Sequence, residues 1–166
     1  MNHATDRYEI AIMQRHDGPS LNEDRLRRVV TGALAAEQVG AAEISLALTG
    51  DVEIHRINRE FLRHDYPTDV ISFLLSHDDA RLEGELVVSV ETAEREAKSA
   101  GWSLESEVIL YVVHGLLHLC GYDDQDDASR WDMRRREQEI LSLLNVPFAP
   151  TGEWMEATTR ISGESG

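Results

Sequence analysis

The stretch "SLESEVILYVVHGLLHLCGYDDQ", residues 103 to 125, constrains the fold more than any other. From Leu104 to Cys120 it is apolar on nearly every face, and a helix of that kind has to be covered on all sides. It is too short to cross a bilayer and it carries two histidines, so it reads as the buried centre of a domain. Ser103 can cap its start, and Gly121 can take the left-handed conformation that ends a helix. The remaining segments must then wrap this one.

Their patterns allow it. "YEIAIM" alternates Tyr8, Ile10 and Ile12, and "AEISLALTG" alternates Ile44, Leu46 and Leu48, which predicts two strands. "TDVISFLL" and "GELVVSV" predict two more, separated by a polar turn. Between them lie helical stripes. Ser20 and Glu23 have the spacing of a capping box ahead of Leu26, Val29, Val30, Ala33 and Leu34, with Gly40 as the stop. Asp51 is the expected cap of a helix placing Ile54, Ile57 and Phe61 on one face, ended by Pro67. "ETAEREAKSA" runs to Gly101, and a last helix is expected from Asp127 to Asn145. Four strands mixed with about five helices predict a single α+β domain over residues 1–146. Pro147 and Pro150 open a tail, 147–166, expected to be loosely ordered.

Composition narrows the function. The chain of 166 residues is 42% apolar and carries a formal charge of −15, so on average it repels nucleic acid unless its cations cluster. Its one cysteine, Cys120, excludes an internal disulfide and fits a reducing, cytoplasmic setting. The N-terminal "MNHATDRYEI" is polar, with no signal peptide expected.

His114 and His118 stand at i and i+4, on one helix face and about 6 Å apart along the axis. That spacing lets two imidazoles hold one ion. Gly115 removes bulk from the turn between them. After Gly121 the chain reverses, and Asp124 falls ten residues beyond His114, the offset of the third ligand in HxxxHxxGxxH. A carboxylate is an acceptable zinc ligand there, although two histidines and a carboxylate also describe a non-haem iron triad. The competing reading packs both histidines in the core and leaves Asp123, Asp124, Asp126 and Asp127 as a solvated, helix-capping run. Cys120 reads as buried and structural, since it points to another face than His118. Gly115 occupies the place where an HExxH peptidase needs its glutamate base, which excludes that route.

The segment "HGLLHLCGYDD" resembles the signature HGxLHLxGYDH of the YbeY family, described as metal-dependent endoribonucleases that mature bacterial ribosomal RNA. Upstream, "INREFLRHDYPTDVISF" is similar to the family's LNxxYRxKDxPTDVLSF, and "GELVVSVETAEREA" to its GDIVI strand and following helix. Met133 and "EQEIL" fit the last helix, so the resemblance spans about residues 40 to 145. It implies a small mixed sheet flanked by helices with the metal-binding helix at its centre. His114 and His118 match the first two metal ligands, and one zinc per chain is implied, with an open position for water. The activity implied is hydrolysis of single-stranded RNA in maturation of the 3′ end of small-subunit ribosomal RNA and in ribosome quality control. Ribosomal RNA and the small subunit are then the partners, with no membrane or DNA role.

Four positions depart from the family pattern. Asp124 replaces the third histidine, Leu62 an arginine of the RNA groove, His64 a lysine, and Leu74 a proline. Arg59, Arg63 and His64 are therefore the candidate RNA-groove residues, Arg56 sharing the face of the two arginines. Arg134, Arg135 and Arg136, like Arg25, Arg27 and Arg28, read as solvated surface. Asp69, Asp123 and His64 lie near the motifs. Structural roles are expected for Asp69 and Asp123, the latter orienting a ligand histidine. Metal-held water is the candidate attacking group, with the RNA's own 2′-hydroxyl as the alternative, and no general base is assigned. The alternatives are a hydrolase of another substrate, and a non-catalytic ribosome-assembly or RNA-binding protein stapled by a structural metal.

Overall fold

Alternation of apolar and polar residues builds two strands, runs of β-prone residues build two more, and helices pack on them. The computed structural model describes residues 7–63, 68–78 and 80–147. In chain order the elements are β1 (Tyr8–Gln14), α1 (Glu23–Ala36), β2 (Ala42–Thr49), α2 (Asp51–Leu62), β3 (Val70–His77), β4 (Leu82–Ser89), α3 (Val90–Ala100), α4 (Leu104–Leu119) and α5 (Asp127–Leu143). The sheet order is β1-β2-β4-β3. β1, β2 and β4 are mutually parallel, and β3 lies antiparallel to β4 at the edge. The fold is α+β with a mixed four-stranded sheet, as the sequence predicts.

The central helix is α4. Twelve of its sixteen residues are buried, which agrees with its nearly uniform apolarity. It packs against α1, α3, α5, β3 and β4. Leu46, Leu86, Ile109 and Leu116 meet in the main core, each at most 1% exposed. Burial of such a side chain contributes about 1.5–3 kcal/mol. A smaller cluster of Ile54, Ile71 and Val87 joins α2 to the sheet.

Gly115 has a different task from the one its spacing suggested. A Cβ there would come within 2.7 Å of Leu86 Cδ2, 3.0 Å of Ser72 Oγ and 3.3 Å of Val70 Cγ2. Its bareness lets α4 lie close on β3 and β4. Gly121 has a φ of 104°, the left-handed turn expected after the helix.

Several boundaries differ from the sequence reading. The cap of α1 is Asn22, whose side chain accepts from Arg25 N, while Ser20 lies outside the helix. The helix stops at Ala36, well before Gly40, because Gln38 adopts a φ of 60°. Asp51 opens α2 but does not cap it. Its carboxylate accepts from Ser89 Oγ, Thr92 Oγ1 and Arg95, tying α2 to the start of α3. Those bonds overcome burial and lower its pKa. Phe61 is 65% exposed, although Ile54 on the same face is buried. α5 ends at Leu143, short of Asn145. Pro67, His64 and the tail beyond Pro147 lie outside the described residues.

Candidate metal centre

The last two turns of α4 and the loop after Gly121 bring His114, His118 and Asp124 together. His114 Nε2 and His118 Nε2 are 3.2 Å apart. Asp124 Oδ2 is 3.8 Å from the first and 3.5 Å from the second. Tetrahedral zinc with ligands at about 2.0–2.1 Å separates its ligand atoms by about 3.3–3.4 Å. The donor set therefore fits such an ion in both chemistry and spacing. Among the described residues these three form the only such group.

The other nitrogen of each imidazole is also held. His114 Nδ1 lies 2.6 Å from a carboxylate oxygen of Glu137 on α5, and His118 Nδ1 lies 3.1 Å from the Tyr122 carbonyl. Both partners only accept, so each Nδ1 donates and each Nε2 turns to the cluster. A histidine backed by a carboxylate is a recurrent metal-ligand arrangement. Arg130 Nη1 donates to the backbone carbonyl of Asp124 at 3.2 Å and steadies the loop.

Electrostatics make the pocket a place for positive charge. Burial disfavours a protonated His114, but the Glu137 carboxylate, with Asp69 and Asp124 beyond it, outweighs this and raises its pKa to about 9. The proton on His114 Nε2 then points at His118 Nε2, where a metal would replace it. The neighbouring His118 imidazole is the largest influence on Asp124 and lowers its pKa against the opposing effect of burial. Arg134 sits beside Glu137, and burial depresses the pKa of its guanidinium while Glu137 opposes that.

Other residues singled out in the sequence fall as follows. Asp123 accepts from Gln125 N at 3.1 Å and shapes the loop, and it is Glu137 that accepts the hydrogen bond of His114. Asp69 accepts from Val70 N at 2.7 Å at the head of β3. Cys120 is absent from the ligand group, and burial, with Glu37 adding, pushes its thiol up to about 11. Arg59 and Arg63 are exposed at the end of α2, whereas Arg56 pairs with Glu53 and Glu60. Arg135 pairs with Asp132 on the surface as expected, whereas Arg136 is partly buried and bonds to Glu37 and the Ala36 carbonyl, tying α5 to the end of α1. Arg134 is not on the surface either, being only 6% exposed.

Glu137 escaped the sequence reading, and Arg134 was expected on the surface. The available signal was position: Glu137 follows Met133 by four residues, on the same stripe as Ile140 and Leu141. A glutamate on an apolar stripe asks for a buried partner. Ser72 was also missed, and its hydroxyl donates to the Gly115 carbonyl at 3.1 Å, binding β3 to the ligand helix.

Fold and site together define a small α+β protein whose buried central helix presents two histidines that, with a carboxylate from the loop after it, could hold a metal ion. The family described as Endoribonuclease YbeY matches over residues 11–145, and the chain belongs to that family. The Endoribonuclease YbeY of Rhodopirellula baltica is 44% identical over 123 residues, covering 73% of this chain and 63% of that protein. That of Chloroherpeton thalassium is 40% identical over 124 residues, covering 75% of this chain and 87% of that protein. The solution structure of TM1509 from Thermotoga maritima superposes with a TM-score of 0.54 at 23% identity, covering 91% of this chain and 95% of that one, a likeness of fold. No helix among the described residues is long and apolar enough to cross a membrane.

Proposed function

We propose that this protein is a metal-dependent endoribonuclease that cleaves single-stranded RNA. The observation that carries the reading is the closure of His114, His118 and Asp124 to tetrahedral ligand spacing in a chain of the Endoribonuclease YbeY family. Zinc, the metal of this reading, would supply Lewis acidity toward a phosphoryl oxygen and lower the pKa of water.

The chain's own residues prepare the site. Glu137 fixes the tautomer and the direction of His114. The Tyr122 carbonyl does the same for His118. Asp124 is held ionised and contributes the third donor atom. Arg59 and Arg63, with His64 just beyond the described segment, are the cations assigned to RNA phosphates. The physiological substrate in this reading is the 3′ end of small-subunit ribosomal RNA, processed in the cytoplasm during ribosome maturation and quality control. The small ribosomal subunit is the partner.

Elemental analysis together with cleavage of a labelled single-stranded RNA tests the proposal. Wild-type protein should carry about one zinc per chain, the one open-site ion of a catalytic centre. Asp124→Ala should lose most of that metal and most of the cleavage. A metal-loaded wild type that leaves RNA intact under all conditions would overturn the nuclease reading. A variant that keeps its metal would remove Asp124 from the ligand set.

A further inference from the structure

The two ligand histidines are backed in different ways. His114 leans on a side chain, the Glu137 carboxylate, whereas His118 leans on a backbone carbonyl, that of Tyr122. A carbonyl can orient a ring only if its own peptide is fixed. Tyr122 belongs to the segment between α4 and α5 that also carries Asp124, two residues further on. Whatever holds Tyr122 therefore acts on two of the three ligands at once.

The backbone supplies part of the hold. Gly121 N donates to the His118 carbonyl and Tyr122 N to the Leu117 carbonyl, both at 3.0 Å, which closes the end of α4. The weak point is Gly121. Its φ of 104° is open to glycine at little cost, and a Cβ there would meet no atom of the described residues within 4 Å. Packing at Gly121 itself does not restrain the turn.

The side chain of Tyr122 supplies the rest. It packs, half-buried, against the main core. Burial raises the pKa of its hydroxyl, the Glu37 carboxylate beside it adds to the rise, and Arg136 opposes it. Glu37 is the residue that caps the end of α1, and Arg136 lies on α5. Arg136 Nε donates to Glu37 Oε2 at 2.6 Å, Nη2 to the Ala36 carbonyl at 2.8 Å and Nη1 to Glu139 at 2.8 Å. All three guanidinium nitrogens are thus engaged, and the Glu37 side chain is only 11% exposed. A pair so far withdrawn from water adds little net stability, because desolvation offsets attraction. What a planar guanidinium does supply is direction, since its fork fixes the carboxylate it holds. Here the carboxylate so fixed faces the ring that carries the metal loop.

We propose that Glu37, Arg136 and the Tyr122 hydroxyl form a clamp that positions the metal-binding loop, so that the end of α1 acts on His118 and Asp124 through Tyr122. The inference rests on the metal reading of the cluster and adds to it three positioning residues. With the clamp closed, the Tyr122 carbonyl stays under His118 Nδ1 and the turn at Gly121 keeps one setting. With it open, the turn is free to rotate and the third ligand moves away from the histidines.

Zinc affinity, by competition with a chromophoric chelator, and the visible absorption of the cobalt(II)-loaded protein test the clamp. Tyr122→Phe removes only a hydroxyl, and Glu37→Gln only a charge. Each should weaken zinc binding about tenfold, the lower end of the loss expected for a partner behind a ligand. Each should also shift the cobalt absorption, which reports ligand geometry. The double variant should lose no more than the worse single one, because Glu37 acts through Tyr122. Urea midpoints of the metal-free proteins separate lost stability from lost geometry. Variants that lose stability yet keep wild-type zinc affinity and cobalt absorption would overturn the clamp and leave the metal centre standing. Fully additive losses would overturn it too, by removing Tyr122 as the route. Should Glu37→Gln not fold, Tyr122→Phe decides alone, and wild-type zinc affinity in it overturns the clamp. A wild type that binds neither ion would remove the clamp and the metal reading together.

Discussion

Glu137 is 3% exposed, yet it carries a carboxylate against the back of a ligand histidine. Removing its charge while keeping its shape isolates that effect. Glu137→Gln should weaken metal binding about 10–100-fold, the usual loss for a partner behind a ligand, measured by competition with a chromophoric chelator. Metal affinity equal to wild type would leave Glu137 a packing residue. The same contact sets a pH dependence. Because the His114 pKa is raised to about 9, metal must displace a proton at every lower pH. The apparent metal affinity should rise about tenfold per pH unit from this group and level off near pH 9. In chelated protein the linkage has the opposite consequence. The folded pKa of His114 lies above its unfolded value near 6.5, so its contribution to stability is complete below that value and is lost as pH climbs to about 9. Urea midpoints across this range should fall without metal, and a flat profile would contradict the Glu137–His114 coupling.

At the scale of elements, close packing of α4 on β3 and β4 depends on Gly115. Gly115→Ala gains up to about 1 kcal/mol of helix propensity. Its Cβ would enter the space of Leu86, Ser72 and Val70, and forced overpacking costs about 1–3 kcal/mol. The net expectation is destabilisation by about 1 kcal/mol, with loss of metal affinity as His114 and His118 shift with the helix. Unchanged urea and metal titrations would show that the strands yield freely. Most elements were legible in the sequence because each carried its own period. The uniform apolarity of α4 marked it as central, alternation marked β1 and β2, and β-propensity marked β3 and β4, the strands packed against α4 and α2. The local ends were less legible. Ser20 and Glu23 satisfy a capping pattern that Asn22 satisfies better in space, and Gly40 lies beyond a turn made by Gln38. The i, i+4 histidines and the reversal at Gly121 made the convergence of His114, His118 and Asp124 readable. Glu137 could not be read as their partner, because its contact with His114 crosses 23 residues and exists only once α5 packs on α4.

For the whole molecule, a charge of −15 and an RNA substrate pull against each other. Two electrostatic contributions then govern how salt affects binding. Phosphate contacts to Arg59 and Arg63 release counterions, and two such contacts on a single strand give a log–log slope of about −1.4. Repulsion between the acidic body and the RNA is screened by the same salt, which strengthens binding as salt rises. The two oppose each other, so the affinity of metal-free protein for single-stranded RNA should depend on salt only weakly, with a slope shallower than about −1.4. Arg59→Ala with Arg63→Ala should bring the slope to zero or make it positive, because only the screened repulsion remains. Anisotropy titrations at several potassium chloride concentrations measure both slopes. A wild-type slope steeper than about −3 would require four or more phosphate contacts. That result would place the main RNA-binding cations elsewhere than at the end of α2. A shallow slope that disappears in the double variant would instead mean that contacts other than ion pairs supply most of the affinity and the two arginines guide the strand.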